Sequence, residues 1–490
     1  MKLCCLKTET GLIILVALLF VLSQLLFFPS IFTSSDEHHY LANSLQIQRG
    51  YLGEKNPEKV CSASIYNENG YISGQYIGHS LFLVPFTWFG FEAVMFSGTI
   101  IHILNLALLV LIFRKLKIRE IFALPYLFFP VIFWQARAVY AGILVLTFML
   151  AAFHFYISKK EKQWVLAGLL FGLAMLTRYD AALGIAAFLF VPLLKDRRKL
   201  LFLLAGFFPM LLLILLFNSI TYGGLLSTGY GASGSSLLSS TILGLDVSAF
   251  LFYAVLLLAL YPLMLASPYI SRNFPYKFEF ALCSLGYLVL AARYPPFHFD
   301  NSVFTILLRM RYALPLAGLL LIPYGLLLQE TIARFKNKKK LLEYSYLAII
   351  AVLFIGSIYA SQVHNSFVSD RKTVFNQIYE NTPDGALIIG SSDDCIYFSE
   401  FFPERRYLSV DIEKNLAGNP ENFKLNDFIG ENTYILQLRY GNRTGESVRQ
   451  DTVNEEREKM DKFIEENSDH LEEVFSSSTP HPLKLFKWTE

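Results

Sequence analysis

Long apolar runs recur down this chain with little punctuation, and no other feature restricts its fold as tightly. The first, Gly11 to Phe32, is almost entirely apolar, and about 20 such residues cross a hydrocarbon core about 30 Å thick as a helix. Runs of similar character predict spans near 11–32, 92–113, 120–136, 138–157, 163–179, 181–194, 199–219, 247–267, 278–293, 312–332 and 344–362, roughly eleven in all. Lipid-spanning strands would alternate apolar with polar residues, so a β-barrel is excluded. With 54% hydrophobic and 17% charged residues over 490 positions, the chain reads as a membrane protein and not as one soluble globule. The first run is longer than the core of a signal peptide, and no small-x-small cleavage site precedes Ser34, so it is expected to stay as an anchor.

A formal net charge of +2 is uninformative, because the placement of the basic residues matters more than their sum. "RKLKIRE", "SKKEK", "KDRRK", "SRNFPYK" and "ARFKNKKK" fall in alternate loops, on the same side as Lys2 and Lys7. The positive-inside rule makes that side cytoplasmic, with the N-terminus inside. An odd number of spans then puts the C-terminal tail outside. The outer face is expected to carry the loop 33–91, the loop 218–246, the segment 293–311 and everything after Ser361. Within the first of these, "GYISGQYIGHSLFLVPFTWFG" suits a segment lying in the membrane interface.

From about Val363 the composition turns charged and polar, with strand-like "ALIIG" and "YILQLRY", helix-like "DRKTVFNQIYE" and "EEREKMDKFIEE", and a turn at "TPDG". The expected architecture is a polytopic α-helical membrane domain, 1–362, and a small extracytoplasmic α/β domain, 363–490. "ALIIGSSDD" has one glycine where a phosphate loop needs several, which argues against nucleotide-sugar chemistry in the tail. A single sequon stands at Asn442. The five cysteines are too scattered for a zinc site or a disulfide framework, although Cys61 and Cys395 fall on the same expected side and could pair there. No internal repeat suggests an inverted-repeat transporter.

Ionisable groups at membrane depth cost roughly 2.5–3.5 kcal/mol each on insertion scales, so each needs a partner, a wet cavity or a function. Here they gather at the expected outer interface: Asp36 and Glu37 after the first span, Arg137 in a tight turn, Arg178 and Asp180 in "LTRYDAAL", Arg293 and Asp300 in "RYPPFHFD", Arg309 and Arg311 in "LLRMRYALP". Ser34 and Glu37 match a capping box, which alone would explain the acidic pair. A helix continuing through "HHYLANSLQIQ" also sets Asp36, Tyr40 and Asn43 on one face, as a cavity lining would require. Arg178 and Arg311 suit either snorkelling anchors or a grip on a lipid phosphate, which a guanidinium binds in bidentate fashion. His38 and His39 are adjacent, so their side chains diverge and do not form a metal site. His79, His102 and His154 read as hydrogen-bonded structural residues.

The membrane region, roughly 10–330, resembles GT-C type glycosyltransferases, the multi-span class that includes protein O-mannosyltransferases and lipid A aminoarabinose transferases. The resemblance is carried by "DEHHYLANSLQIQRG" directly after the first span, "GYISGQYIGHSLFLVPF", "GLAMLTRYDAAL", "NSITYGGLLSTGY" and "RMRYALP", in that order. The chain departs from the class in having "GQYIGHS" where many relatives are Pro-rich, and "WQARAVYAG" where an acidic residue often stands. The resemblance implies transfer of a sugar from a polyprenyl-phosphate donor to an extracytoplasmic acceptor, a protein, glycan or lipid of the cell envelope, in the cytoplasmic membrane. It implies Asp36 as general base, with Glu37 supporting it or binding acceptor. Arg178 would bind the donor phosphate, with Arg311 and Arg309 as further candidates. Tyr40, Tyr76, His79, Tyr179 and Asp180 would line the cavity. No cofactor, metal or nucleic acid is expected, the lipid-linked sugar being a substrate, and one carboxylate suits a single inverting displacement. A lipid-linked sugar transporter or flippase, or an inactive membrane scaffold, are the competing readings.

Overall fold

The computed structural model of the chain describes residues 2–32, 34–56, 58, 64–67, 70–229, 247–261, 263–292, 310–399, 401–410, 416–417, 424–439 and 448–489. Cys61, Arg293, Asp300, Arg309 and Asn442, which the sequence brought forward, lie outside the described residues.

The first apolar run forms α1 (Lys2–Leu26), followed by α2 (Ser35–Gln48), a hairpin of β1 (Ser64–Asn67) and β2 (Gly70–Ser73), and the short α3 (Ile77–Thr87). Then comes α4 (Phe91–Leu116). The run expected to span at 120–136 is not one helix. It breaks into a 3-10 turn, Glu120–Ala123, and two short helices, α5 (Pro125–Phe128) and α6 (Pro130–Gln135). Proline lacks an N–H and crowds the preceding turn, so Pro125 and Pro130 each start a new segment. Broken backbone is tolerated at membrane depth only where protein surrounds it, and Leu124, Tyr126, Leu127 and Phe129 are almost fully buried. Hydroxyls from distant segments add hydrogen bonds to carbonyls of this stretch. Tyr346 donates to the Ile121 carbonyl at 2.9 Å, Tyr261 to Pro125 at 2.7 Å and Ser357 to Phe128 at 3.2 Å.

The bundle continues with α7 (Ala141–Tyr156), α8 (Glu161–Thr177), α9 (Ala181–Lys195), α10 (Arg197–Tyr222), α11 (Val247–Leu260), the single turn α12 (Ser267–Ile270), α13 (Lys277–Ala291) and α14 (Leu314–Arg334). Five described helical segments are long and apolar enough to cross a bilayer: Glu9–Leu26, Phe91–Leu116, Arg197–Tyr222, Met310–Arg334 and Lys339–Glu380. The others that were expected to span are shorter. At 14 to 17 residues each they reach about 21–26 Å. Small residues let backbones touch, as they do between packed membrane helices. A Cβ on Gly168 of α8 would clash with the Leu203 carbonyl oxygen of α10.

The last span and the first helix expected for the soluble domain are one element, α15 (Lys339–Glu380), 42 residues long and therefore about 63 Å from end to end. Between Tyr344 and Glu380 only Gly356 is a poor helix former, and one glycine costs about 1 kcal/mol. No breaker therefore marks the expected boundary at 362. Tyr346 and Ile350 pack into the bundle core, whereas Val374, Phe375 and Ile378 pack against the C-terminal sheet.

That sheet contains β3 (Leu387–Gly390), β4 (Arg406–Ser409), β6 (Thr433–Leu438), β7 (Leu471–Ser477) and β8 (Leu483–Trp488), in the order β4-β3-β6-β8-β7. β3 runs parallel to both β4 and β6. α16 (Val448–Glu466) places Met460 against Leu387, Ile389 and Ile435 on the face opposite α15. The short β5 (Leu416–Ala417) pairs in parallel with β1. Glu58 takes an ion pair from Arg406 at 2.9 Å. The long first loop is thus knit into the C-terminal domain. Cys395 is disulfide-bonded, while Cys61 is not among the described residues; Cys283 is free and buried.

Candidate active site

Helix α2 begins as the sequence suggested. The Glu37 amide donates to Ser34 Oγ at 3.4 Å, and the Ser34 amide donates to Glu37 Oε2 at 3.0 Å, closing a capping box. Glu37 also does something its sequence context did not reveal. It is fully buried, and its Oε1 accepts from the backbone amide of Val139, 2.9 Å away in the turn between α6 and α7. A carboxylate taking two backbone amides is held by charge-assisted bonds, and it ties α2 to that turn.

Asp36 precedes it by one residue and so points about 100° away around the helix. Its side chain is 31% exposed and forms an ion pair with Arg311, with Nη1 3.1 Å from Oδ2. Gln75, at the end of the hairpin, donates to Oδ1 at 3.0 Å. The two adjacent carboxyls have different surroundings: one is locked in backbone, the other is partly exposed and held by the side chains of Arg311 and Gln75.

Arg178 follows α8, where Asp180 receives its Nε at 3.0 Å and its Nη2 at 2.5 Å. The Arg178 guanidinium lies over the rings of Tyr76 (5.9 Å) and Tyr312 (5.7 Å), and that of Arg311 over Tyr312 (5.1 Å) and Tyr140 (5.2 Å). Cation–π contact favours such placements where water is partly excluded. One ring, Tyr312, therefore joins the two arginines, and the series Asp36, Arg311, Tyr312, Arg178, Asp180 is continuous. Residues far apart in sequence thus form one contact cluster.

The remaining candidates surround this series. Tyr76 meets Tyr179 edge-on at 5.0 Å, and the Tyr179 hydroxyl donates to Asn218 at 2.7 Å. Tyr40 is buried with its ring 4.7 Å from that of His79. Burial pushes the Tyr40 hydroxyl above its ordinary pKa, with Arg178 pulling the other way, so it remains a neutral phenol at physiological pH. His38 Nε2 lies 2.8 Å from the Phe398 carbonyl oxygen of the C-terminal domain. Burial, helped by neighbouring His38, lowers the pKa of His39 to about 4.

Arg137 belongs to a different task. It is 1% exposed and donates to the Ser361 carbonyl at 2.6 Å and to the Phe27 carbonyl just past α1, bracing the turn that carries Val139 and Tyr140. Gln75, Tyr140 and Tyr312 were not singled out from sequence. All three lie inside segments that were, "GQYIGHS", "WQARAVYAG" and "RMRYALP", but their role depends on neighbours supplied by other helices.

Against solved structures, the chain aligns with ArnT from Cupriavidus metallidurans in the apo state at a TM-score of 0.58 and 10% identity, over 98% of each chain. It has the ArnT-like GT-C membrane fold. The ArnT structure bound to undecaprenyl phosphate matches at a TM-score of 0.56 and 10% identity, over 97% of this chain and 98% of that one. The likeness to ArnT includes the C-terminal sheet as well as the bundle, and the protein is an integral membrane protein. No family model matches the chain, and no curated protein matches it significantly.

Proposed function

We propose that the protein is a glycosyltransferase that moves a sugar from a polyprenyl-phosphate donor to an acceptor hydroxyl outside the cytoplasm, with Asp36 as general base. The observation that carries this reading is the cluster of charged and aromatic side chains. A partly exposed carboxylate is paired with one guanidinium, and a second guanidinium lies across a single tyrosine ring from the first. The ArnT fold supports it, since one of the ArnT structures holds undecaprenyl phosphate.

Among the described residues of the cluster, Asp36 and Asp180 balance Arg178 and Arg311 in charge. An arriving donor phosphate competes for both arginines. As it draws Arg311 away, Asp36 loses a cation about one hydrogen bond away and becomes a stronger base. Asp36 then takes the acceptor proton while the acceptor oxygen bonds to the anomeric carbon and the bond from that carbon to the phosphate oxygen breaks. The departing polyprenyl phosphate takes the electron pair and is stabilised by Arg178 and Arg311. Asp36 alone supplies the base, and the phosphate is already a competent leaving group, so the displacement is single and inverts the anomeric centre. Glu37, with both oxygens on backbone amides, holds α2 in place, and Tyr40, Tyr76 and Tyr179 wall the sugar end.

The test uses purified full-length protein and a labelled polyprenyl-phosphate sugar, scored for sugar transfer or release. Asp36→Asn is expected to lower turnover about 10²–10⁴-fold, the usual worth of a general base, with donor binding retained. Arg178→Ala raises the donor KM. Unchanged turnover in Asp36→Asn removes the base, retention of configuration by NMR removes the single displacement, and movement of intact donor without cleavage makes the protein a transporter.

A further inference from the structure

The end of the bundle away from the transfer cluster carries a basic surface that the transfer step does not use. Tyr140 precedes α7 and Arg178 follows α8, so the far ends of these two helices, at Tyr156 and Glu161, lie on the opposite side of the bundle. α8 has 17 residues and so separates the two places by about 26 Å. Three basic segments meet at that far end, "SKKEK" (158–162), "KDRRK" (195–199) and "SRNFPYK" (271–277). Lys195 Nζ lies over the Phe278 ring at 5.8 Å, Lys199 Nζ lies over the Tyr156 ring at 3.2 Å, and the Tyr156 hydroxyl donates to Glu279 at 3.1 Å. These contacts join the end of α9 to the starts of α10 and α13, and Arg198 ties α10 to Glu161 of α8.

The three segments hold nine basic residues. The carboxylates beside them are each engaged: Glu161 pairs with Arg198, Asp196 accepts from the Lys199 amide at 3.0 Å, Glu279 accepts from Tyr156, and Glu330 accepts from the Arg272 and Asn273 amides at 3.0 and 3.1 Å. Arg198 is the only one of the nine in an ion pair among the described residues. Set against those four carboxylates, the surface keeps an excess of five positive charges. The positive-inside rule accounts for the sign of each segment, but not for their convergence on one surface.

Next to these charges the surface turns apolar. Arg197, Leu201, Leu204 and Phe208 follow one another on α10 at spacings of four, three and four, which puts them on one face. Leu201 is 68% and Phe208 61% exposed, and Phe278, beneath Lys195, is exposed as well. A soluble polyanion would engage the charges and leave this stripe bare, whereas a phospholipid covers both.

We infer that this surface binds an anionic phospholipid, its phosphate held by Lys195, Arg197 and Lys277 and an acyl chain lying along Leu201, Leu204 and Phe208. Basic surfaces at the ends of membrane helices attract such head groups, and the bonds they make to phosphate are charge-assisted. Lys199, seated on the Tyr156 ring by cation–π contact, holds the start of α10 against α7. The transfer reading decides only which leaflet supplies the lipid, the inner one when the transfer cluster faces outward. The binding chemistry stands without it.

Native mass spectrometry of the full-length protein in detergent, with phosphatidylglycerol or phosphatidylcholine of identical acyl chains added, tests the site. Wild type is expected to retain phosphatidylglycerol and to prefer it at least tenfold. A basic residue near an anionic head group is worth about fivefold, so the triple variant Lys195→Gln/Arg197→Gln/Lys277→Gln should bind it about a hundredfold more weakly, at an unchanged lipid-free melting temperature. Lys338→Gln/Lys339→Gln/Lys340→Gln removes the same charge from the exposed start of α15 and should retain binding. Equal retention of the two lipids, wild-type binding in the first triple variant, or equal losses in both triple variants overturns the site. So does displacement of bound phosphatidylglycerol by inorganic phosphate at the concentration of the lipid, which would make this a site for soluble anions. Should the first triple variant melt early, Arg197→Gln alone decides: a loss of about fivefold supports the site, and unchanged binding overturns it. No arm reads turnover, so the result is independent of the transfer reading.

Discussion

Asp36 and Glu37 are neighbours in sequence, yet removing the charge from each should have opposite consequences. Glu37→Gln leaves one carbonyl oxygen and turns the other into an amide NH2 that faces a backbone N–H. The carboxylate accepts from Ser34 N at 3.0 Å and Val139 N at 2.9 Å with no exposure. Hydrogen bonds to charged groups are worth roughly 1.5–3 kcal/mol, so losing one and setting two donors against each other costs about 2–4 kcal/mol. Asp36→Asn is nearly isosteric and removes an ion pair whose partners are 31% and 17% exposed, worth about 1 kcal/mol or less. Thermal unfolding in detergent should therefore show a fall of several degrees for Glu37→Gln and little change for Asp36→Asn. Turnover should show the reverse ranking, about 10²–10⁴-fold lower for Asp36→Asn, with folded Glu37→Gln retaining most activity. If Glu37→Gln melts like wild type but is inactive, while Asp36→Asn is active, the division of labour drawn from this geometry is wrong.

Two further outcomes follow from close packing and from burial. A methyl group on Gly78 would lie 2.6 Å from the Leu176 carbonyl oxygen, so Gly78→Ala should destabilise by about 1–3 kcal/mol and, by displacing Tyr76 from Arg178, raise the donor KM; Gly356→Ala, with nothing within 4 Å, is the control that should melt at or above the wild-type temperature. His39 has its folded pKa lowered from 6.5 to about 4, by burial first and then by His38, so the unfolded chain takes up a proton that the native state refuses. Stability should decline as pH falls from about 7 to about 4 and level off below that, by up to about 3 kcal/mol in all. Melting curves of wild type and His39→Gln across that range check it, and identical pH dependence would refute it.

Much of the architecture could be read from local patterns. Hydropathy marked the apolar elements, Ser34 and Glu37 marked the start of α2, and the positions of Asp36, Arg178 and Arg311 beside span ends marked a candidate site before any neighbour was known. The failures share a cause. Pro125 and Pro130 were visible in the run at 120–136, but hydropathy responds only to apolar content. Hydroxyls of Tyr261, Tyr346 and Ser357, from distant segments, bond to backbone carbonyls of the broken stretch and support it. Composition changes at about Val363, whereas helix geometry does not, and α15 runs on because polar residues between 361 and 373 are compatible with a helix.

The sequence by itself determined that this chain enters a membrane, because lipid offers the backbone no hydrogen-bond partners and so imposes a rule each segment must satisfy on its own. It also determined which charges sit beside the ends of those segments. Only the tertiary structure decided that Glu37 holds backbone while Asp36 faces Arg311 and Gln75, and that Tyr312 lies between two arginines. Adjacent residues on a helix point about 100° apart, and what each one meets is set by which other helices pack there, which no local pattern records.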